Sequence, residues 1–533
     1  FWAEEGTPQQ FGHELFADDL ERIMDNVMRA MDRVPAATEA GVKRIINGPM
    51  IWSPDSNALY GPVPELRNYF CCNGIIPGFS QSGGLGLMSA QWIIDGEPQY
   101  DMFAWDLTRF GDWADKKFTR ARVGDQYKHR FSIHFPNEER SAGRPARVRP
   151  TYEILKNMGA VFGLNCGWEH PLWYADEPGV KETNGFTRQN WFKPVGLEVK
   201  MLRDHAGIID ISNFANYEVK GPDAAAWLDQ LLANKIPTQI GRSCLSPLIG
   251  VRGGVAGDFT VTKVAEDSFM MIGSGMAERY NQRFFNNVTL PKGTTFAVKT
   301  DDICGYNVAG PKSRALLQRL TNTDLTAENF PFMRSQTIKV AGVTCLAIRV
   351  SFTGDLGWEL HCAQIDQIEL FTALLKAARD VDGGPVGGRA LGALRIEKGY
   401  GSWGREYSPE YWPQEVALDR LVKLDKEFLN KAAYLAIKEK TPRERLSIFE
   451  VEAVNDADAS GGEPIFLPDG TPVGRVTSGA YGYSVDKSLA LGFVKEGIAS
   501  PGDALEIFIL GKPHRAVLLS EPPFDPKGER LRA

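Results

Sequence analysis

Val219-Lys220-Gly221-Pro222-Asp223-Ala224-Ala225-Ala226-Trp227-Leu228-Asp229-Gln230-Leu231 is echoed downstream by Val308-Ala309-Gly310-Pro311-Lys312-Ser313-Arg314-Ala315-Leu316-Leu317-Gln318-Arg319-Leu320. Each copy reads as a strand, a Gly-Pro turn and an amphipathic helix, because the apolar spacing switches from period two to period 3.6 across the turn. Two such units predict a pseudo-symmetric α/β body whose shared centre is a natural ligand cleft. Between the copies, Gly253-Gly254-Val255-Ala256-Gly257-Asp258-Phe259-Thr260-Val261-Thr262 places a carboxylate after permissive glycines, at the expected start of an alternating strand. Asp258 there is suited to accept a proton from a nitrogen heterocycle, and an Asx turn is the structural alternative. Beyond the second copy, Ser351-Phe352-Thr353-Gly354-Asp355-Leu356-Gly357-Trp358-Glu359-Leu360 sets Glu359 on an outgoing strand, and Ala393-Leu394-Arg395-Ile396-Glu397-Lys398-Gly399 closes a helix. Asp258, Glu359 and Arg395 are the candidate polar groups of one cleft.

The 533 residues predict three or four domains rather than one. A chain that is 43% hydrophobic and 24% charged is neither collagen-like nor wholly disordered. Lys plus Arg at 60 against Asp plus Glu at 67 leaves a net charge of −7, without the basic excess of a general nucleic-acid binder. Seven cysteines (71, 72, 166, 244, 304, 345 and 362) show no C-x-x-C spacing, which points to a reducing compartment rather than a disulfide scaffold or zinc ribbon. No H-E-x-x-H is present, so no dedicated metal site is expected. No apolar run approaches the ~20 residues of a membrane span, and the first residues show no basic stretch followed by an apolar one, so a soluble, unexported chain is the expectation. Phe1 opens the chain without methionine, as though an upstream segment were missing.

In the front part, Leu20, Ile23, Met24, Val27, Met28 and Met31 follow helical spacing after Asp18, which with Glu21 resembles a capping box; Pro35 ends the pattern, and the methionines are expected in a core. Ile45 to Trp52 and Asn68 to Ile76 read as short strands. The second runs into Gly78-Phe79-Ser80-Gln81-Ser82-Gly83-Gly84-Leu85-Gly86, expected as a glycine-rich turn, and then a buried helix from Leu87 to Gly96. Such a cradle brings backbone close to a flat or anionic ligand, and a helix N-terminus there would stabilise a reduced flavin ring; a tight turn needs glycines in any case. Residues 101 to 195 carry Trp105, Trp113, Trp168, Trp173, Trp191 and Gly143-Arg144-Pro145-Ala146-Arg147, expected chiefly to pack, and His134 sits in a strand-like run. From Leu446, period-two strands, an Asp469-Gly470 hairpin signal, Gly474-Arg475-Val476-Thr477-Ser478-Gly479 and Leu489 to Val494 predict a small β-barrel cap.

Together these stretches resemble the dimethylglycine/sarcosine dehydrogenase family, flavoproteins fused to a folate-binding module like the glycine cleavage T-protein, and the resemblance covers essentially the whole chain. The rear half is similar to the T-protein module in its Gly-Pro helix, Gly-Asp-x-Thr-Val-Thr, Thr-Gly-Asp-Leu-Gly-Trp-Glu and Gly-Arg-Val-Thr-Ser-Gly. The front resembles the end of a flavin amine-oxidase domain in Asn47-Gly48-Pro49, Ser53-Pro54-Asp55 and the Ser82 to Gly86 stretch before Trp92-Ile93-Ile94-Asp95-Gly96, and Gly167-Trp168-Glu169 with Trp173 matches the connecting region. The implied fold class is α+β multidomain: a C-terminal remnant of an FAD-dependent amine-oxidase domain (1–102), a connecting region (103–195), a T-protein-like α/β folate-binding domain (196–445) and a C-terminal β-barrel (446–533).

The resemblance implies oxidative N-demethylation of a methylated glycine-type amine, with FAD taking a hydride and tetrahydrofolate capturing the one-carbon unit as 5,10-methylene-tetrahydrofolate. It implies that Gly83, Gly84, Leu85 and Gly86 contact FAD, that Asp258 is catalytic and lies near the reacting folate nitrogens, and that Glu359 meets the pterin edge. Thr260, Phe352 and Arg395 help line the folate site. The motif usually has Tyr where this chain has Phe352, which keeps a ring and drops a hydroxyl. No G-x-G-x-x-G dinucleotide fingerprint is present, so the expectation is a fragment, a subunit whose FAD phosphates are held by another chain, or a chain that has lost the oxidase. A non-catalytic regulatory homologue and a stand-alone folate-dependent aminomethyltransferase are the alternatives. The expected location is cytoplasmic, or the mitochondrial matrix in a eukaryote. Oligomerisation, the electron acceptor and the particular amine are left open by these residues.

Overall fold

The computed structural model describes residues 8–12 and 14–533. The two repeated stretches start two different sheets. The first belongs to a five-stranded antiparallel sheet ordered Thr295–Val298, Ala215–Lys220, Ser268–Gly273, Val255–Ala265, Ser243–Ile249, and its helix is Ala224–Leu231. The second belongs to a six-stranded sheet ordered Ser335–Val340, Val343–Ile348, Gly357–Ala363, Ile303–Ala309, Gly207–Asp210, Gly384–Val386, followed by the helix Ser313–Gln318. Only the last pair of strands runs parallel. The Gly-Pro turns coincide in geometry as well as in sequence. Gly221 and Gly310 have φ of +142° and +117°, and a Cβ on either would collide with a backbone carbonyl, of Gly293 and Leu202 respectively.

Period-two alternation then decides what each sheet buries. In the six-stranded sheet Tyr306, Val308, Trp358 and Leu360 face a core built with Leu316 and Leu317 of the first helix and Leu370, Phe371 and Leu374 of the helix Gln367–Arg379. Their neighbours Asn307, Glu359 and His361 take the opposite face. In the five-stranded sheet Tyr217, Phe259, Val261, Phe269 and Met271 pack with Trp227, Leu228 and Leu231, leaving Asp258, Thr260 and Thr262 on the other side. The polar-bearing faces are turned inward, and Met270 and Ile272 of one sheet close against Ile348 of the other. Six strands from Glu444–Val451 to Lys512–Leu518 close the terminal barrel, with the expected hairpin at Asp469-Gly470.

The front part differs from its sequence reading in several places. The helix starts at Met24 rather than beside Asp18, after a 3-10 turn Glu21–Ile23, and no Asp18–Glu21 capping box forms. None of the residues of helix Met24–Arg33 is buried, so its methionines are not core: Met24 and Met28 are exposed, and Val27 and Met31 are half-buried. Residues 45–52 form no strand; the first strand is Leu59–Pro62, paired with Phe70–Asn73. His134 lies outside any strand, its Nδ1 beside the Arg140 guanidinium at 3.1 Å. The largest change is at the glycines. Gly83, Gly84 and Gly86 are inside one helix, Gly78–Asp95, and not in a turn before it. Leu85, Met88 and Trp92 of that helix pack with Ala58, Tyr60 and Phe70, and Tyr60 donates to the Leu85 carbonyl at 2.7 Å. That packing outweighs the ~1 kcal/mol each interior glycine costs a helix.

Candidate functional site

Asp258 is the fourth residue of strand Val255–Ala265, so it is neither at the strand start nor in an Asx turn. Opposite it in the neighbouring strand stands Pro247, which has no N–H to offer. The carboxylate meets its own backbone N–H and receives no other residue's hydrogen bond among the described residues, and burial pushes its pKa up to about 6. Thr260, two residues on, shares its face and lies between Leu245 and Ile272. On the facing sheet Glu359 sits between Asn307 and Ile348, and the His361 ring nitrogen Nε2 is 3.5 Å from Glu359 Oε2. Asn307 is fixed in turn: its amide donates to the Val350 carbonyl at 3.3 Å and its Oδ1 accepts from Ser351 Oγ at 3.2 Å.

One loop stitches the two sides. After the helix Gly388–Glu397 the chain runs Tyr400-Gly401-Ser402-Trp403-Gly404-Arg405-Glu406-Tyr407. Tyr400 stacks on Phe352 with ring centroids 5.7 Å apart and planes 22° from parallel. Trp403 donates its indole N–H to the Ala256 carbonyl at 3.0 Å, two residues from Asp258. The phenol of Tyr407 is driven upward by burial and then by the Asp258 charge. Arg395 is already committed: its guanidinium donates to Glu406 Oε2 at 2.9 Å, the Tyr400 carbonyl at 3.0 Å and Ser478 Oγ at 2.6 Å. Glu406 is fully buried and also accepts from Thr477 and Ser478 of the barrel. Arg395 thus sets the loop that carries Tyr400, Trp403 and Tyr407, and it reaches the cleft through them. These loop residues and His361 escaped the sequence reading. The density of glycine and aromatic residues directly after a helix was the available signal.

On the flavin-side segment, the helix Gly78–Asp95 begins five residues before Gly83, so its positive end lies at Gly78 and not at the glycine cluster. A Cβ added at Gly83, Gly84 or Gly86 would meet nothing within 4 Å, whereas Leu85 is buried beneath them. The three glycines therefore bare helix backbone on an open surface, flanked by exposed Phe79, Leu87 and Ile94. A flat ring system fits against such a surface; phosphates would need donors from elsewhere. The helix's C-terminal end docks on the turn that leads to Asp258. Gly96 abuts Val251, and Glu97 Oε2 accepts from the Arg252 backbone N–H at 3.1 Å. Phe103 stands edge-on to Trp403, ring centroids 4.6 Å apart. The described residues contain no group of three or more His, Cys, Asp or Glu able to hold a metal ion, and no helix long and apolar enough to cross a membrane.

Comparison with known proteins agrees with this layout. Residues 151–426 match the GCVT N-terminal domain, residues 95–148 the FAD dependent oxidoreductase central domain, and residues 445–525 the glycine cleavage T-protein C-terminal barrel domain. Human mitochondrial dimethylglycine dehydrogenase is 36% identical over 98% of this chain and 60% of its own length. Human mitochondrial sarcosine dehydrogenase is 29% identical over 100% of this chain and 63% of its own length. The chain thus spans about 60% of the length of the curated relatives it matches. The crystal structure of the glycine cleavage system aminomethyltransferase T from Bartonella henselae superposes with a TM-score of 0.62 at 24% identity, covering 71% of this chain and 98% of that one, so the fold is shared. With the GCVT N-terminal domain matched over more than half of its residues, the chain belongs to that family, and along nearly its whole length it is similar to dimethylglycine and sarcosine dehydrogenases.

Proposed function

We propose that this chain is the folate-side portion of an FAD- and tetrahydrofolate-dependent oxidative N-demethylase acting on a methylated glycine-type amine. The observation that carries the reading is an uncommitted carboxylate, Asp258, on the polar-bearing face of one sheet, with Glu359 on the polar-bearing face of the other and the two sheets in contact through Met270, Ile272 and Ile348. When bound, FAD supplies the hydride acceptor that converts an N-methyl group into an iminium. Gly83, Gly84 and Gly86 would lie against its ring, and a further segment or another chain would hold its phosphates.

The residues of the cleft supply positioning and proton transfer. Phe352 packs a planar pterin, Glu359 accepts from its N–H edge, and Thr260 lines the same face as Asp258. Closing a methylene bridge between two folate nitrogens releases a proton, and the Asp258 carboxylate is placed to accept it. With a pKa near 6 it is ionised at neutral pH yet basic enough to hold that proton briefly. Capture of the one-carbon unit on the same protein limits hydrolysis of the iminium to formaldehyde.

The experiment is a tetrahydrofolate titration of the purified chain and of its Asp258→Ala variant, followed by formation of methylene-tetrahydrofolate from added formaldehyde. Saturable binding with the reaction slowed on the order of 10²-fold or more in the variant is expected. Absence of tetrahydrofolate binding removes the folate reading, and an unimpaired variant removes the role of Asp258.

A further inference from the structure

His361 lies on the polar-bearing face of the six-stranded sheet and has no part in the function proposed above. It follows Glu359 by two residues on the strand Gly357–Ala363, so period-two alternation puts both side chains on one face. The residue is 4% exposed, and neither ring nitrogen makes a hydrogen bond among the described residues. Its room is made by a glycine. Gly305 stands opposite in one neighbouring strand, where a Cβ would sit 3.1 Å from His361 Nδ1 and 3.0 Å from Ile211 Cγ1. The strand on the other side offers Leu346. An apolar residue would suit those surroundings better than an imidazole, because a buried ring with both nitrogens unpaired loses its bonds to water and gains none in return. What the position does offer is Glu359: His361 Nε2 lies 3.5 Å from Glu359 Oε2, and no other described Lys, Arg or His forms an ion pair with that carboxylate. The cross-strand neighbours of Glu359 cannot take that place. Asn307 gives its amide to the Val350 carbonyl at 3.3 Å and accepts from Ser351 at 3.2 Å, and Ile348 is apolar.

We propose that His361 is a positioning residue for folate specificity: with its hydrogen on Nε2 it donates to Glu359 Oε2 and sets the plane of that carboxylate against the amino edge of the pterin. A carboxylate has about four lone-pair sites, so one can be taken by the imidazole while others accept from the ligand. A contact of 3.5 Å shortens when a bound ligand draws the carboxylate into line, as hydrogen bonds in such sites commonly do. The proposal rests on the folate reading and adds to it the residue that holds Glu359 in register. Because His361 acts through Glu359 and not on the reacting nitrogens, it governs which ligand binds and leaves the proton transfer to Asp258.

The test compares tetrahydrofolate with an analogue that carries a methyl group in place of the pterin amino group, each titrated calorimetrically into the full chain. The wild type should bind tetrahydrofolate at least tenfold more tightly than the analogue. His361→Leu, similar in volume and without a donor, should lose at least tenfold in tetrahydrofolate affinity and bind the two folates within threefold of each other. His361→Gln carries an N–H where Nε2 stood and should keep the ratio within threefold of the wild-type value. Formation of methylene-tetrahydrofolate at saturating tetrahydrofolate should stay within twofold of wild type in both variants. A merely structural role would weaken both folates alike, so an intact ratio in His361→Leu overturns the proposal, and so does a ratio that His361→Gln fails to keep. Equal binding of the two folates by the wild type overturns it without any variant. A wild type that binds neither folate brings down the folate reading as well, whereas the ratios bear on His361 alone.

Discussion

Replacing Glu97 by Gln should flatten the dependence of stability on pH. Glu97 is 5% exposed, its Oε1 has no partner, and burial pushes its carboxyl from 4.5 up to about 7 despite the Arg252 N–H and the nearby Arg252 charge. The folded protein therefore holds this proton more tightly than the unfolded chain does. A group of that kind contributes stability that is fully present below pH 4.5, declines as pH rises, and is gone above pH 7. At ~1.4 kcal/mol per pH unit the whole displacement is worth about 3 kcal/mol, most of it spent between pH 5 and 8. Asp258, pushed to about 6, and Glu198, pushed to about 7, slope the same way and remain in both proteins, so the difference between them isolates Glu97. Guanidinium unfolding at pH 5, 6, 7 and 8 measures it, and hydrogen exchange at the Arg252 amide reports whether the junction itself opens. The wild type should lose about 2 to 3 kcal/mol more than Glu97→Gln across that range. Profiles that run parallel to within ~0.5 kcal/mol would refute the assignment, since that is the scatter expected of a neutral surface change.

Alanine at the glycines should separate two roles. Gly84→Ala should stabilise the helix Gly78–Asp95 by about 0.5–1 kcal/mol in thermal unfolding, because its Cβ meets open space, yet weaken flavin binding in an assembled enzyme. Gly310→Ala, forced to φ +117° against the Leu202 carbonyl, should destabilise by well over 1 kcal/mol in the same assay. Arg395→Met leaves Glu406 buried without its cation and should cost about 3–5 kcal/mol, while Arg395→Met combined with Glu406→Gln should recover part of that, as a double-mutant cycle will record. Phe352→Tyr restores a hydroxyl at the cleft and should tighten tetrahydrofolate roughly 2- to 10-fold by calorimetry, the worth of one hydrogen bond.

Sequence pattern carried the two α/β units well, because a Gly-Pro turn between a period-two and a period-3.6 stretch has few other ways to fold. It carried the barrel and the strand bearing Glu359 for the same reason, whereas Asp258, read at a strand start, is the fourth residue of its strand. Patterning failed where long-range contacts decide. Glycines at 83, 84 and 86 argue against helix locally, and only the burial of Leu85, Met88 and Trp92 beneath them reverses that preference. The methionine stripe of Met24–Arg33 is periodic, but periodicity says nothing about whether a partner surface exists. Arg395 was legible as a polar group near the cleft; that Glu406, eleven residues on, claims it first was not, since a loop without periodicity gives no sign of where it returns.

Trp403 offers a practical consequence. Its indole is pinned by a hydrogen bond to the Asp258 strand on one side and by the Phe103 ring on the other, so a ligand that shifts either neighbour changes the polarity and rigidity around one chromophore. The protein carries an intrinsic optical reporter at the seam of its two halves. With 12 tryptophans in the chain, a Trp403→Phe difference spectrum is what isolates its signal.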